Sequence, residues 1–527
     1  MHDYPLEQRT VGHILADKAA RLGTKTYLTF RDRTFSYADV HALTNRYAHG
    51  FRERGIGRGD HVALMMPNRP ELLWAIWGLG KIGAVAVPLN TAAKGELLRY
   101  LLEQSDSVLL CVSDELRDRA AGPAAQAPAI RGVLGPDELR GFEAHPATDP
   151  PGMADVRAED PHLLQYTSGT TGPSKGVVCP QSQGHAVGRQ MASLTGYRPD
   201  DVLYTCLPVF HANALWYTIY TALWAEAAVA LSPGFSARQF WDEIRDTGAT
   251  AFNCLGAMAN IIWQLPESPR DTEHRVRTAM MVPLSKTLVD GFGERYDIAV
   301  TSVFAMTENC AITVFGPDDP PAKVPSAGRM RDYMDIRIVS DDPTGTERVL
   351  PPGEVGEICI RPTEPGSVML GYYKMPDATE AAHTDGWFHT GDRGHLDADG
   401  YLFFSDRKKE AIRRRGENIS AYEVETVLCR HPGIEEAAAV PVPSELGEDD
   451  VMAYLVPAPG VELSFTEVIE YCAENMAYYM VPRYLATIDA LPKTPSEKIE
   501  KYKLKVDAAG RLDQLWDRDK LGITIRR

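Results

Sequence analysis

Residues 61–112 alternate between short apolar runs and helical patterns, and this alternation limits the fold more than any other feature of the sequence. The runs 61–66, 84–89 and 107–112 predict buried strands. Between them, 70–83 opens with a proline and has helical spacing, and 95–104 is helical as well. A strand–helix–strand–helix–strand order predicts a mostly parallel sheet with helices on its faces.

The alternation resumes over residues 163–315, and after that the pattern changes. Short strand patterns separated by Gly and Asp turns follow, which predict a small antiparallel or barrel-like unit. The stretch 119–160 is rich in Ala, Pro, Gly and Asp and predicts a loose connection. Near the end of the chain, two helical patterns at 421–430 and 464–476 enclose two strand runs.

We therefore predict an α/β protein with two domains. Residues 1–406 form a large N-terminal domain of parallel α/β sheets plus a small β-barrel-like unit. Residues 407–527 form a small mobile α+β C-terminal domain. A chain of 527 residues rarely folds as one domain.

The composition argues against several classes of partner. There are 72 acidic and 55 basic residues, a formal charge of −17, which argues against a surface for nucleic acid or anionic membranes. The eight cysteines show no metal-ligand spacing and predict buried thiols in a reducing compartment. The first residues lack a signal-peptide pattern, and the apolar stretch 214–231 predicts a buried helix and strand rather than a membrane span. We expect a cytoplasmic protein, with a homodimer as the candidate assembly.

Residues 166–177 combine three glycines, five Ser/Thr hydroxyls and one lysine. Glycines allow backbone N–H groups to approach a ligand, hydroxyls donate hydrogen bonds and Lys175 adds a positive charge, which together fit a polyphosphate. Gly-Lys-Ser/Thr is missing, so the loop is not a Walker A loop. The candidate nucleotide contacts in this loop are Thr167, Ser168, Gly169, Thr170, Thr171, Gly172 and Lys175.

The loop resembles the phosphate loop of the adenylate-forming superfamily, which includes acyl-CoA synthetases, peptide-synthetase adenylation domains and firefly luciferase. Further segments resemble that family in its own order, at 303–308, 386–392, 406–420 and 492–499. The similarity covers roughly residues 10–505. Within the superfamily the chain looks most like the crotonobetaine/carnitine–CoA ligase branch.

The resemblance implies a set of nucleotide contacts. Glu308 would bind Mg²⁺ near the ATP phosphates, and Thr307 beside it would contact the nucleotide. Phe304 would stack on adenine, with a place in the core as the alternative. Asp392 would accept hydrogen bonds from the ribose hydroxyls, and Arg407 would contact the ribose and phosphate end.

The last part of the chain resembles the family's moving domain. Lys498 would lie between the acid carboxylate and the α-phosphate and offset their repulsion. Lys409 would be the hinge about which this domain rotates between two half-reactions. The Gly416 loop would serve the thiol step, where Arg415 meets a CoA phosphate. Glu497 departs from the family, which usually has glycine there.

The acid pocket is assigned to three residues. His211 would lie beside the acyl group and the thiol channel, with a core histidine as the alternative. Trp216, together with Tyr217 and Tyr220, would line a wide apolar pocket, form an aromatic cage for a quaternary ammonium, or pack in the core. Met281 stands where relatives usually have glycine, so the shape of the pocket is not transferable.

The expected enzyme is an ATP-dependent acyl-CoA synthetase. It would convert a carboxylic acid and MgATP into acyl-AMP and pyrophosphate, and CoA would then displace AMP. ATP, Mg²⁺ and CoA are the implied cofactor and substrates, and the acid is carnitine-like, fatty or a bulky natural-product carboxylate. The alternatives are a stand-alone ligase that loads a separate carrier protein, an oxidative luciferase, and a nucleotide-binding sensor with degenerate chemistry.

Overall fold

The structure is a computed structural model that covers most of the chain. It describes residues 2–525 apart from 168–172, 283, 331–332, 341–346, 408–411, 446 and 493–498, and only the backbone of 257, 310, 406, 407 and 418.

The chain up to residue 180 contains the predicted alternation. Its strands are β1 (Thr26–Phe30), β2 (Arg33–Ser36), β3 (His61–Met65), β4 (Val85–Pro88), β5 (Ser107–Val112), β6 (Val133–Leu134), β7 (Pro161–Thr167) and β8 (Lys175–Pro180). Its helices are α1 (Val11–Leu22), α2 (Tyr37–Glu53), α3 (Pro70–Lys81), α4 (Gly95–Gln104), α5 (Arg117–Gln126) and α6 (Pro136–Gly141). Strand β3 pairs in parallel with β4 on one side and β5 on the other, which confirms the predicted parallel sheet.

The prediction of a loose connection over 119–160 is wrong for α5, β6 and α6. Helix α5 forms because Ala120 and Ala124 are spaced four residues apart and lie on one helical face. Both are buried in a core cluster with Leu116 and residues of α4. Small alanine side chains suit this close packing, although a segment that combines Ala, Gly and Pro has the composition of a loop.

The second segment builds the sheet that positions the site. Its strands are β9 (Val202–Thr205), β10 (Ala228–Leu231), β11 (Ala251–Leu255), β12 (Thr278–Val282), β13 (Ala299–Met306) and β14 (Cys310–Phe315). Its helices are α7 (Gln183–Thr195), a π-helix (Asn213–Tyr220), α8 (Thr221–Ala225), α9 (Phe240–Thr247), α10 (Gly256–Trp263) and α11 (Lys286–Tyr296). The strand order is β14-β13-β12-β11-β9-β10-β1-β2, and the pairs from β13 to β1 are parallel.

This arrangement has two consequences. The carboxyl ends of β9, β11, β12 and β13 meet at one edge, where parallel sheets bind ligands. The apolar stretch 214–231 is a buried helix and strand, as predicted. In the described part of the chain, helices with both the length and the apolar character to cross a bilayer are absent.

The third segment forms the predicted antiparallel unit. Its elements are β15 (Met334–Val339), β16 (Gly356–Pro362), β17 (Gly371–Tyr372), α12 (Pro376–Ala381), β18 (His383–Thr384), β19 (Trp387–Leu396) and β20 (Leu402–Arg407). Strands β15, β16, β19 and β18 pair in that order, β20 pairs with β19, and all these pairs are antiparallel. Strand β17 leaves this unit and pairs with β8.

The last segment has a core of its own. Its elements are β21 (Ile412–Arg414), β22 (Glu417–Ile419), α13 (Ala421–Leu428), β23 (Ile434–Pro443), β24 (Asp449–Pro457), α14 (Phe465–Asn475), β25 (Tyr484–Thr487), α15 (Lys501–Gly510) and β26 (Trp516–Asp517). They confirm the predicted helices at 421–430 and 464–476 to within two residues. The buried members of its two core clusters all come from residue 412 onward.

A two-residue turn joins β21 to β22. Arg414 pairs with Glu417, and Arg415 and Gly416 between them have φ values of +53° and +80°. Positive φ at both positions is the mark of a type I′ hairpin turn. Arg415 adopts this conformation without the freedom of glycine, at a cost of about 1 kcal/mol.

Candidate active site

Candidate residues lie along the carboxyl edge of the parallel strands. His211 follows β9, Leu255 ends β11, Met281 lies in β12, and Glu308 stands two residues after β13. Because these strands are neighbours, residues distant in sequence face one region.

Tyr372 connects two of the predicted nucleotide contacts. Its hydroxyl donates a hydrogen bond of 2.9 Å to Oε1 of Glu308, which is buried. Nζ of Lys175 lies 4.5 Å from the centre of the Tyr372 ring. Burial and the charge of Glu308 raise the pKa of Tyr372 well above its usual value, so it remains a donor. The sequence analysis missed Tyr372, because its pairing with β8 follows from tertiary structure rather than from spacing.

The remaining described nucleotide candidates lie on β7, β13, β19 and the turn after β13. Phe304 is buried in a cluster with residues of the antiparallel unit, and Thr307 lies in the turn beside Glu308. Asp392 is buried on β19, where its backbone N–H donates to Oγ1 of Thr390 at 3.1 Å. Thr167 ends β7 opposite Lys175, so these two residues bound the phosphate loop.

Several predicted residues lie outside the described part of the chain. These are Ser168, Gly169, Thr170, Thr171, Gly172, Lys409, Glu497 and Lys498, together with the side chain of Arg407. The backbone of Arg407 pairs with Asp392 across β19 and β20.

The acid-pocket candidates differ in accessibility. The side chain of His211 is 40% exposed, whereas Trp216 and Met281 are fully buried. Nε1 of Trp216 donates to Oε1 of Gln165 at 2.6 Å, and its ring lies 4.9 Å from that of Tyr220. Trp216 is therefore packed in the core, and in this structure it offers no open aromatic cage.

Asn213 places a polar group close to His211. It begins the π-helix, an element often found at functional sites. Nδ2 of Asn253 on β11 donates to Oδ1 of Asn213 and to Oγ1 of Thr218, each at 3.1 Å. The first of these hydrogen bonds fixes the amide of Asn213, which lies two residues after His211 in the sequence.

Glu417 on the C-terminal hairpin pairs with His211. Nε2 of His211 lies 3.0 Å from both carboxylate oxygens. Burial lowers the pKa of His211, but the charge and the hydrogen bond of Glu417 raise it, and the net pKa lies above 6.5. The pair thus favours the protonated histidine.

Gly416 allows the hairpin to approach the sheet edge. A Cβ atom at this position would lie 2.2 Å from Cδ1 of Leu255, so any other residue would require the Leu255 side chain to shift. The N–H of Gly416 also donates to both carboxylate oxygens of Glu448, at 3.1 and 3.2 Å. Glycine is favoured here both by the close approach and by the positive φ.

Glu423 at the start of α13 binds the end of the phosphate loop. Its Oε1 accepts hydrogen bonds from the backbone N–H of Ser174, at 3.2 Å, and from the Ser174 hydroxyl. Burial raises the pKa of Glu423. The carboxylate of Glu423 therefore occupies the backbone N–H and the hydroxyl of Ser174, one residue before Lys175.

Other contacts join the last segment, from residue 412 onward, to the rest of the chain, and these are called the two parts below. They involve α4 and the loop before it. They join Asn90 to the Tyr479 hydroxyl at 2.9 Å, Lys94 to the carbonyl of Ala473, and Glu96 to Arg430 at 3.0 Å.

Comparisons with known proteins point to one enzyme family. The sequence profile of the AMP-binding enzyme family matches residues 15–373, and that of the AMP-binding enzyme C-terminal domain matches 423–498. A crotonobetaine/carnitine–CoA ligase of Salmonella enteritidis PT4 is 33% identical over 510 residues, which cover 93% of this chain and 97% of the relative.

Two solved structures of o-succinylbenzoate CoA synthetase from Bacillus subtilis are also similar. The one bound to the product analogue OSB-NCoA has a TM-score of 0.81 and 27% identity, covering 94% of this chain and 98% of the other. The one with the acyl-adenylate intermediate OSB-AMP has a TM-score of 0.67 and 26% identity, covering 93% and 97%.

The pair between His211 and Glu417 predicts a pH-dependent contact between the two parts. A histidine whose pKa is raised by a partner adds stability that is complete below its usual pKa of 6.5 and lost as the pH rises through the raised value. Energy transfer between dyes on the two parts should therefore fall with rising pH above about 6.5. In Glu417→Gln this decrease of energy transfer with rising pH should be absent.

The dyes can be attached to cysteines replacing the exposed Glu294 and Glu462, in a Cys429→Ser background that removes the exposed native thiol. Glu435→Gln, an exposed glutamate of the same part, is the matched control and should keep the wild-type profile. An unchanged profile in Glu417→Gln would contradict the assignment.

Proposed function

The chain belongs to the AMP-binding enzyme family, and from this premise we propose that it is an ATP-dependent acyl-CoA synthetase, an AMP-forming acid–thiol ligase. A carboxylate oxygen of the acid attacks the α-phosphorus of ATP and pyrophosphate leaves. The CoA sulfur then attacks the acyl carbon and AMP leaves. The observation that carries the proposal is the C-terminal hairpin placed against His211, at the sheet edge that also holds Glu308.

The nucleotide is assigned to the residues around Tyr372. Lys175 contacts the phosphates together with the phosphate loop. Glu308 binds Mg²⁺, which commonly takes one carboxylate plus phosphate oxygens and neutralises the charge of the triphosphate. Phe304 contacts adenine and Asp392 the ribose. The further proposed contacts are Thr167, Ser168, Gly169, Thr170, Thr171, Gly172, Thr307 and Arg407.

The arrangement of the two parts supports a role in the thiol step. The structure is more similar to the relative bound to a CoA product analogue than to the same enzyme with an acyl-adenylate. Glu423 also occupies the Ser174 donors, and its charge would repel a bound triphosphate. We therefore assign this arrangement to thioester formation, after pyrophosphate has left.

Adenylation then requires a different arrangement. Residues 407–527 rotate about Lys409 relative to residues 1–406, which withdraws Glu423 and brings Lys498 to the site. Lys498 offsets the repulsion between the acid carboxylate and the α-phosphate as they approach.

The acid pocket is assigned to His211, Trp216 and Met281, and of these three His211 is open to solvent in this arrangement while the other two are buried. The fixed amide of Asn213 favours an acid that carries a hydroxyl or carbonyl group near this end. Among carnitine-like, fatty and bulky natural-product acids, this favours the polar members over plain fatty acids. A site built to hydrogen-bond its substrate discriminates strongly against analogues that lack the group.

A panel of carboxylic acids tests the function. Purified protein with ATP, Mg²⁺ and CoA should release AMP and form a thioester with one chemical class of acid. A parallel arm with a phosphopantetheinylated carrier protein in place of CoA should give less thioester. Absence of AMP release with every acid, in folded protein, would contradict the proposal. A higher thioester yield with the carrier protein than with CoA would identify the carrier as the acceptor.

Tyr372→Phe should slow adenylate formation. The substitution removes one hydrogen bond to the buried Glu308 carboxylate, worth about 1.5–3 kcal/mol, so kcat/KM for ATP-dependent pyrophosphate exchange should fall about 10- to 100-fold. The adjacent Tyr373→Phe is the matched control, because Tyr373 donates at 3.0 Å to Asp106 instead. Equal effects of the two variants would contradict the role of Tyr372.

Arg415→Gly should weaken CoA binding without disturbing the hairpin. The turn already has the positive φ that glycine favours, and an exposed ion pair with a phosphate contributes up to about 1 kcal/mol. We expect KM for CoA to rise about two- to fivefold while KM for ATP is unchanged. Arg415→Lys keeps the charge and should keep the wild-type KM, and a rise in this variant too would contradict a purely electrostatic role.

A further inference from the structure

Three potential metal ligands converge on the antiparallel unit. Glu357 and Cys359 lie two residues apart on β16, and His389 on β19 is the register partner of Cys359. The ligand atoms of the three residues all lie within 4.8 Å of one another. Residue spacing does not indicate this cluster, because β16 and β19 are separated by more than twenty residues.

The distances fit one small cation. Nδ1 of His389 lies 3.1 Å from Oε2 of Glu357 and 3.4 Å from Sγ of Cys359. Tetrahedral ligands on Zn²⁺ are separated by ~3.3–3.6 Å, since its bonds to nitrogen, oxygen and sulfur are about 2.0–2.3 Å. For His389, one ion between the three atoms would change the distances to Glu357 and Cys359 by only a few tenths of an ångström.

The surroundings orient two of the three ligands. Oε1 of Glu357 accepts a hydrogen bond of 3.2 Å from the N–H of Gly391, which turns Oε2 towards His389. On the other side of the imidazole, Nε2 lies 3.0 Å from Oε1 of Glu347, off the axis of a straight hydrogen bond. A carboxylate behind a histidine is the usual outer partner that holds a metal-binding ring. Glu347 is itself paired with Arg337 at 2.9 Å.

We propose that Glu357, Cys359 and His389 form a binding site for Zn²⁺ or a similar late transition metal. The imidazole, thiolate and carboxylate donors suit such a metal, whereas Mg²⁺ prefers oxygen ligands alone. Binding replaces the thiol proton of Cys359, which passes to the buffer. Through Gly391 the ion would stabilise the strand that carries Asp392. This site is independent of the Mg²⁺ assigned to Glu308 and of the proposed activity.

Titration with Co²⁺ tests the site in the full-length, chelator-treated protein. One equivalent should produce the near-ultraviolet absorption of a cobalt–thiolate bond, and Zn²⁺ but not excess Mg²⁺ should remove it. Cys359→Ser should abolish the band, while Cys429→Ser, which removes an exposed thiol elsewhere, should keep it. Glu357→Gln retains the thiol and should weaken Co²⁺ binding at least tenfold.

The alternative is that His389 hydrogen-bonds to Glu357 and pairs with Glu347 without a metal. In that case no band appears at one to ten equivalents of Co²⁺, and Zn²⁺ leaves the thermal unfolding midpoint unchanged, which would overturn the proposal. A band that survives Cys359→Ser and disappears in Cys429→Ser would overturn it as well. If Cys359→Ser does not fold, His389→Gln gives the same readout.

Discussion

The contact between Glu417 and His211 is the interaction on which the account depends. It joins a hairpin of the last segment to the carboxyl edge of the large parallel sheet, across 206 positions of sequence. The hairpin approaches this edge at Gly416, where a Cβ atom would lie 2.2 Å from Cδ1 of Leu255 at the end of β11. With the hairpin at this edge, Glu423 reaches Ser174, so the contact at His211 and the contact at Ser174 belong to one arrangement.

Local patterns predicted most of the fold. Alternating apolar runs and helical spacing indicated β3, α3, β4, α4 and β5 correctly, because burial on a parallel sheet imposes those periods directly. Helix α5 was missed because its burial depends on two alanines, a residue type that also occurs in loops. Family resemblance supplied the candidate site, including residues such as Lys498 that lie outside the described part of the chain.

The rest of the site depends on tertiary pairing, which a single sequence does not display. Tyr372 contacts Glu308 because β17 leaves the antiparallel unit and joins β8. Glu417 was part of a recognised loop, yet its pairing with His211 depends on how the two parts of the chain meet. Cysteine spacing does not predict the cluster of Glu357, Cys359 and His389, because the histidine comes from a neighbouring strand.

Cross-linking the two parts in the observed arrangement tests whether this arrangement serves thioester formation rather than adenylation. In a Cys429→Ser background, cysteines at Glu96 and Arg430, which pair at 3.0 Å, can be joined by a short bis-maleimide. The two half-reactions are then measured separately, adenylation by pyrophosphate exchange and thioester formation from supplied acyl-adenylate and CoA. We expect the cross-linked protein to retain thioester formation and to lose adenylation. Adenylation at the rate of the uncross-linked double variant would contradict it.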